Sequence, residues 1–162
     1  MDLEAFQKKA DKDKTGNRQF LSKLKQAKPR KLDEAFQAAH DEVFEEMNCL
    51  HCANCCKTTS PIFKQKDIEN ISKRLRITPS AFIQKYLHVD ADNDYVLNSS
   101  PCPFLDAENY CLVYDDRPAA CKEYPHTDRK KIIQLLDLTY KNTFVCPAVL
   151  EIVERLKTVK IK

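Results

Sequence analysis

Cys49, Cys52, Cys55 and Cys56 fall in one run of eight residues, Cys49-Leu50-His51-Cys52-Ala53-Asn54-Cys55-Cys56, and Cys102, Cys111, Cys121 and Cys146 follow later in the chain. Two cysteines separated by two residues can curl around one ion, while N–H groups of the turn donate to their sulfurs. Eight thiols divide naturally into two four-ligand sites. Such a set holds structural zinc or an iron–sulfur cluster. Adjacent side chains point in different directions, so Cys55 and Cys56 are expected to serve two centres, or one a centre while the other packs. Cys102-Pro103 and Cys146-Pro147 lean towards iron, because a Cys-Pro pair often ends bacterial ferredoxin motifs. His51 and His126 are minority candidates to replace a thiol, and His51 is read as exposed or as a neighbour that supports a ligand.

The elements that must position these thiols are mostly helical. The chain has 162 residues and a single glycine, Gly16, too few for a fold built on tight hairpins. The expectation is one domain over residues 1–162, mainly α with a small β-hairpin, its helices packed around a cysteine-ligated metal centre. Within it, 1–47 form a helical N-terminal extension, 48–146 the cysteine-cluster metal-binding core, and 147–160 a C-terminal helix. Residues 1–31 carry ten Lys/Arg against four acids, and helices are expected at about 2–11 and 17–28, broken at Gly16-Asn17. Residues 32–47 carry six acids and no base, with apolar residues at helical spacing. Attraction between these two segments, packed antiparallel, is expected.

A helix over Lys66–Leu75 is followed by a second that Thr78 caps and Pro79 begins. Asp90, Asp92 and Asp94 form an acidic turn; the glycine and the later glutamate of a calcium loop are missing. Tyr95–Leu97, Cys102–Leu105 and Tyr110–Tyr114 read as extended, with Asp106–Asn109 as the turn of the one hairpin. A proline-started helical turn follows at Arg117–Cys121. Residues 128–140 lean helical, and Cys146-Pro147 opens the last helix.

Composition narrows the function. The formal charge is +3 with neutral thiols; eight thiolates around two divalent ions would bring it to about −1. The basicity therefore gives little support to a nucleic-acid partner. The polar first 31 residues lack the apolar run of an export signal, and no stretch suits a membrane span. Eight cysteines without such a signal point to a reducing cytoplasm and to bound metal ions rather than disulfides. Glycine-rich phosphate loops are excluded, and no Cys–His–Asp context appears, so catalytic residues are none and an enzyme would need the metal or a thiol beside Lys57 or Lys122. Whether the chain is an enzyme is left open, as is any protein partner. The alternatives to a zinc or iron–sulfur protein are an iron–sulfur or thiol-dependent oxidoreductase, and a metal-stabilised interaction module with a basic N-terminal arm.

The runs CLHCANCC, CPFLDAENYCLVYDDRPAACKEYP and CPA resemble the CxxCxxCC cysteine-cluster family, the YkgJ-type zinc- or iron-chelating domains, from about Cys49 to Pro147. The resemblance implies metal ligation by Cys49, Cys52, Cys55, Cys56, Cys102, Cys111, Cys121 and Cys146, and roles for Tyr114, Arg117, Pro118, Tyr124 and Pro125. The family usually has glycine directly after its second cysteine. Ala53 stands there, which argues against a left-handed turn at that residue. Flagellin lysine methylases hold a similar cysteine arrangement in a larger chain, but residues 1–47 are too short for a methyltransferase domain. Arg117 is expected to donate to a thiolate or to Asp115 or Asp116, offsetting the ligands' charge.

Overall fold

The structure is a computed structural model that describes residues 2–161. It is mainly helical and divides into two compact units. One comprises the chain up to Cys52 and from Pro125 onward; the other is Ala53–Tyr124.

In the first unit, α1 runs without a break over Leu3–Leu24, begun by Asp2, whose carboxylate accepts the N–H groups of Glu4 and Ala5 (3.0 and 2.9 Å). The expected interruption at Gly16-Asn17 is absent. An exposed glycine inside a helix costs about 1 kcal/mol against alanine, less than the apolar face it would disrupt. That face buries Phe6, Ala10, Leu21 and Leu24. Helix α2 spans Pro29–Glu46, with proline in its first turn and Leu32, Phe36, Ala39 and Val43 buried at three- and four-residue spacing. A 3-10 turn at Ile132–Leu135 leads into α7 (Leu136–Asn142), and α8 spans Pro147–Thr158. Leu32, Phe36, Val43, Ile132, Leu136, Ile152, Val153 and Leu156 make the core.

The opposite charges of α1 and α2 find other partners. Lys9 pairs with Glu151 of α8 (3.8 Å) and Lys25 with Asp137 of α7 (2.9 Å). Glu46 and Glu42 both pair with Arg155 of α8 (2.7 and 3.5 Å). Such exposed pairs contribute roughly 0–1 kcal/mol each, so apolar burial decides which helices meet.

The second unit holds α3 (Asn54–Thr58), α4 (Gln65–Leu75), α5 (Pro79–Tyr86), strands β1 (Leu87–Val89) and β2 (Tyr95–Leu97), a 3-10 turn at Tyr114–Asp116 and α6 (Ala119–Glu123). Thr78 caps α5 by accepting the Ala81 N–H (3.2 Å), as the sequence predicts. The antiparallel hairpin lies one segment earlier than expected: β1 pairs with β2 in the register Leu87↔Leu97, His88↔Val96, Val89↔Tyr95. Its turn is the acidic one, where the Asp90 carboxylate accepts the N–H groups of Asp92 and Asp94 (both 3.0 Å). The Cys102–Tyr114 stretch makes only an isolated bridge, Leu105↔Cys111. Phe63, Ile68, Ile71, Phe82, Leu87, Leu97, Phe104 and Val113 fill this unit's core, with the Phe82 and Phe104 rings stacked 6.1 Å apart.

Candidate metal centre

In the second unit short loops rather than long elements carry the thiols. Cys55 and Cys56 sit on α3, which starts at Ala53. That residue is left-handed (φ 49°, ψ 20°), so the turn the family makes with glycine is kept with alanine. Lys57 donates its N–H to the Ala53 carbonyl (3.0 Å), holding the turn closed. Cys102 is tied to α3 directly, its N–H donating to the Cys56 carbonyl (2.8 Å), and Ser100 Oγ donates to the Lys57 carbonyl (2.7 Å).

Cys111 follows a tight turn in which the Asp106 carboxylate accepts the N–H groups of Glu108 and Tyr110 (3.0 and 2.7 Å). Cys121 lies on α6. The start of that helix is anchored by the Ala119 N–H donating to Asp67 at the beginning of α4 (3.1 Å).

The electrostatics group Cys56, Cys102, Cys111 and Cys121. Burial pushes the Cys121 thiol up to about 12, and the sulfurs of Cys56, Cys102 and Cys111 push it further in the same direction. Cys102 is raised by burial and by Cys56 and Cys111, against the N–H groups of Phe104 and Leu105. Cys111 is raised by burial and by Cys56, against the Val113 N–H and the cations of Arg117 and Arg74. Cys56 alone is lowered, to about 7, chiefly by its contact with Cys55 and also by Lys57, against its own burial. The sulfurs of Cys55 and Cys56 are 3.9 Å apart, so these adjacent side chains do not diverge as expected.

In the first unit, Cys49 and Cys52 flank a 3-10 turn, with the Cys52 N–H on the Cys49 carbonyl (3.1 Å). Cys146 caps α8. Burial raises it to about 11, the N–H groups of Val149 and Ala148 act against that rise, and Cys49 and Cys52 add to it. Cys49 is exposed and the other seven thiols are half-buried; among the described residues no disulfide joins any of them.

Arg117 behaves differently from expectation. Its guanidinium donates to the Tyr114 carbonyl (2.6 Å) and lies 3.8 Å from the centre of the Tyr114 ring. Asp116 and Asp115 pair with Arg74 instead (3.2 and 3.9 Å). Arg74 escapes sequence reasoning, because one basic residue on a helix has no pattern that separates it from a solvated face, whereas Lys57, singled out beside the thiols, does act on Cys56. His51 is exposed, and His40 packs on Phe44 with Nδ1 2.8 Å from Thr127 Oγ1.

Among the described residues no three His, Cys, Asp or Glu side chains converge on one ion-sized point. Cys56, Cys102, Cys111 and Cys121 lie within electrostatic range of one another, and Cys146 within that of Cys49 and Cys52. The donor chemistry nevertheless fits a thiolate-bound metal: soft sulfurs, each raised thiol supplied with peptide N–H groups or cations that favour its ionised form.

Helices joined by loops that carry the cysteines make this a small, mainly helical, cysteine-rich protein. The chain belongs to the CxxCxxCC family, described as "Putative zinc- or iron-chelating domain", whose model matches residues 48–145. The match takes in Cys49 through Cys121 and stops one residue short of Cys146. No curated protein and no solved structure matches the chain. Among the described residues no helix is long and apolar enough to cross a membrane.

Proposed function

We propose that this protein holds zinc or an iron–sulfur cluster through its cysteines in the cytoplasm, and that Cys56, Cys102, Cys111 and Cys121 are the four ligands of one centre. The observation that carries this reading is that the Cys102 N–H on the Cys56 carbonyl (2.8 Å) and the Leu105↔Cys111 bridge bring these loops together, within electrostatic range of Cys121, with peptide N–H groups acting on Cys102 and Cys111 and the Arg117 cation on Cys111 and Cys121. A cation among them offsets the burial and the repulsion that together raise Cys121, and the same donors then serve bound thiolates. The full proposed ligand set is all eight thiols: these four, Cys49, Cys52 and Cys146 of the first unit, and Cys55. When bound, zinc supplies a closed cross-link between loops, whereas an iron–sulfur cluster adds one-electron chemistry.

Metal and sulfide analysis of anaerobically purified protein tests the proposal. Zinc without colour identifies a structural site; iron with acid-labile sulfide and a brown colour identifies a cluster. Protein that carries neither metal and binds neither on reconstitution would refute it. Replacing Cys121 with serine is expected to remove metal from the four-thiol centre, and unchanged metal content would exclude Cys121 as a ligand. The basic arm has a structural account of its own, because α1 buries Phe6, Ala10, Leu21 and Leu24 and ties lysines to Glu151 and Asp137.

A further inference from the structure

Within the second unit, residues 106–116 carry four acids, Asp106, Glu108, Asp115 and Asp116, and no Lys or Arg. The side chains of this run alternate. Cys111 is half-buried and Val113 is buried, whereas Tyr110, Leu112 and Tyr114 are 56%, 58% and 58% exposed. The Leu112 N–H donates to the Phe104 carbonyl (2.8 Å) and the Asp106 N–H to the Tyr110 carbonyl (2.9 Å) on either side of the Leu105↔Cys111 bridge, and the chain then turns, the Tyr114 N–H donating to the Cys111 carbonyl (3.2 Å). Tyr110, Leu112 and Tyr114 therefore stand exposed together on this bridge and the turn that closes it. One exposed large apolar side chain is ordinary; three within five residues make a patch.

The carboxylates around this patch differ in what they already hold. Asp106 is committed to the N–H groups of its own turn, and Asp116 holds Arg74 at 3.2 Å. Glu108 is exposed at one end of the run. At the other end Asp115 is 83% exposed and 3.9 Å from Arg74. The face also accepts a guanidinium already, since Arg117 lies 3.8 Å from the centre of the Tyr114 ring. Aromatic faces attract such cations, and Arg takes this position more often than Lys.

We propose that Tyr110, Leu112 and Tyr114, flanked by Glu108 and Asp115, form a docking face for a cationic, extended segment of another protein. Its apolar side chains cover Leu112, its cations reach Glu108 and Asp115, and a guanidinium stacks on Tyr110. The acidic rim repels acidic partners, so charge selects the occupant and the apolar centre supplies the buried area. The five residues it uses are not proposed ligands, but Tyr110 and Leu112 flank Cys111, so metal content is measured beside binding to tell a lost surface from a lost centre.

Fluorescence anisotropy with a labelled peptide alternating arginine and leucine tests the proposal, alongside a matched peptide of glutamate and leucine. The intact chain should bind the basic peptide, more weakly as salt rises, and ignore the acidic one. Leu112→Ser and the pair Glu108→Lys, Asp115→Lys change exposed side chains, so circular dichroism should report an unchanged fold. Each should weaken binding about tenfold or more. No binding, equal binding of both peptides, or variants that bind like the parent would overturn the proposal. Sedimentation supplies a further check: a dimer of this chain abolished by Leu112→Ser would put a second copy on the face and overturn it too.

Discussion

Cys121 and Cys56 are shifted in opposite directions, to about 12 and about 7. An unperturbed thiol ionises at 9.0. Between that value and their own, Cys121 and Cys146 keep protons that the unfolded chain has lost. Their contribution to stability is therefore present below about pH 9 and drains away as pH rises towards 11–12. Cys56 acts in the opposite direction: its contribution is present above about pH 9 and is lost as pH falls through about 7. Urea midpoints of chelator-treated protein should accordingly fall between pH 9 and 11, and Cys121→Ser should flatten that alkaline limb. A flat profile in the parent would contradict the assignment. Binding a metal must expel the same protons, so metal affinity rises with pH. The thiols themselves were legible in the sequence, because spacing and residue type suffice to find them. Their grouping was not, since it depends on the Cys102 N–H reaching Cys56 and on Ala119 reaching Asp67, contacts spanning 46 and 52 residues.

Helix α1 shows what a residue-by-residue reading of elements misses. Gly16 is exposed in the helix interior, and a Cβ added there meets nothing within 4 Å. Gly16→Ala should therefore stabilise the protein by about 0.5–1 kcal/mol, read as a higher denaturant midpoint with unchanged slope. A loss of stability would mean that the helix is bent or crowded there. The sequence suggested a break because glycine punctuates local structure, but two buried stretches on one face outweigh a single glycine. Helices α4, α5 and α8 were legible to within a residue or two, since Thr78-Pro79 and Cys146-Pro147 mark their starts locally. The hairpin was misplaced for the converse reason. Leu87 continues the apolar face of α5 and reads as helix, yet it begins β1, and the strands are only three residues each. Alternation in 110–114 is real, but the outward residues face solvent and no second strand pairs with the run beyond its one bridge.

Over the whole molecule, regular structure is unevenly spread. Between β2 and α6 the chain from Asn98 to Pro118 has one isolated bridge and one 3-10 turn, yet it carries Cys102 and Cys111. A segment with so few ladder hydrogen bonds depends on staples, and a metal centre would be one. Stripping metal with a chelator should therefore raise amide exchange across residues 98–124 while α4 and α5, which bury Ile68, Ile71 and Phe82, stay protected. Uniform exchange, or none gained, would argue against metal as the staple. The two-unit partition also bears on synthesis. The first unit is discontinuous in the chain and the second is a continuous insertion within it. A ribosome making this protein releases all of residues 53–124 before it reaches α7 and α8, so the inserted unit can close while the earlier one waits for its second half. Cys49 and Cys52 leave the ribosome 94 residues or more ahead of Cys146. Nascent chains arrested with Tyr124 just clear of the tunnel should resist protease over 53–124 and be cut within 1–52; early protection of α1 and α2 would contradict this order. The protein would thus assemble from the middle outward, one group of thiols available to metal before the other is complete.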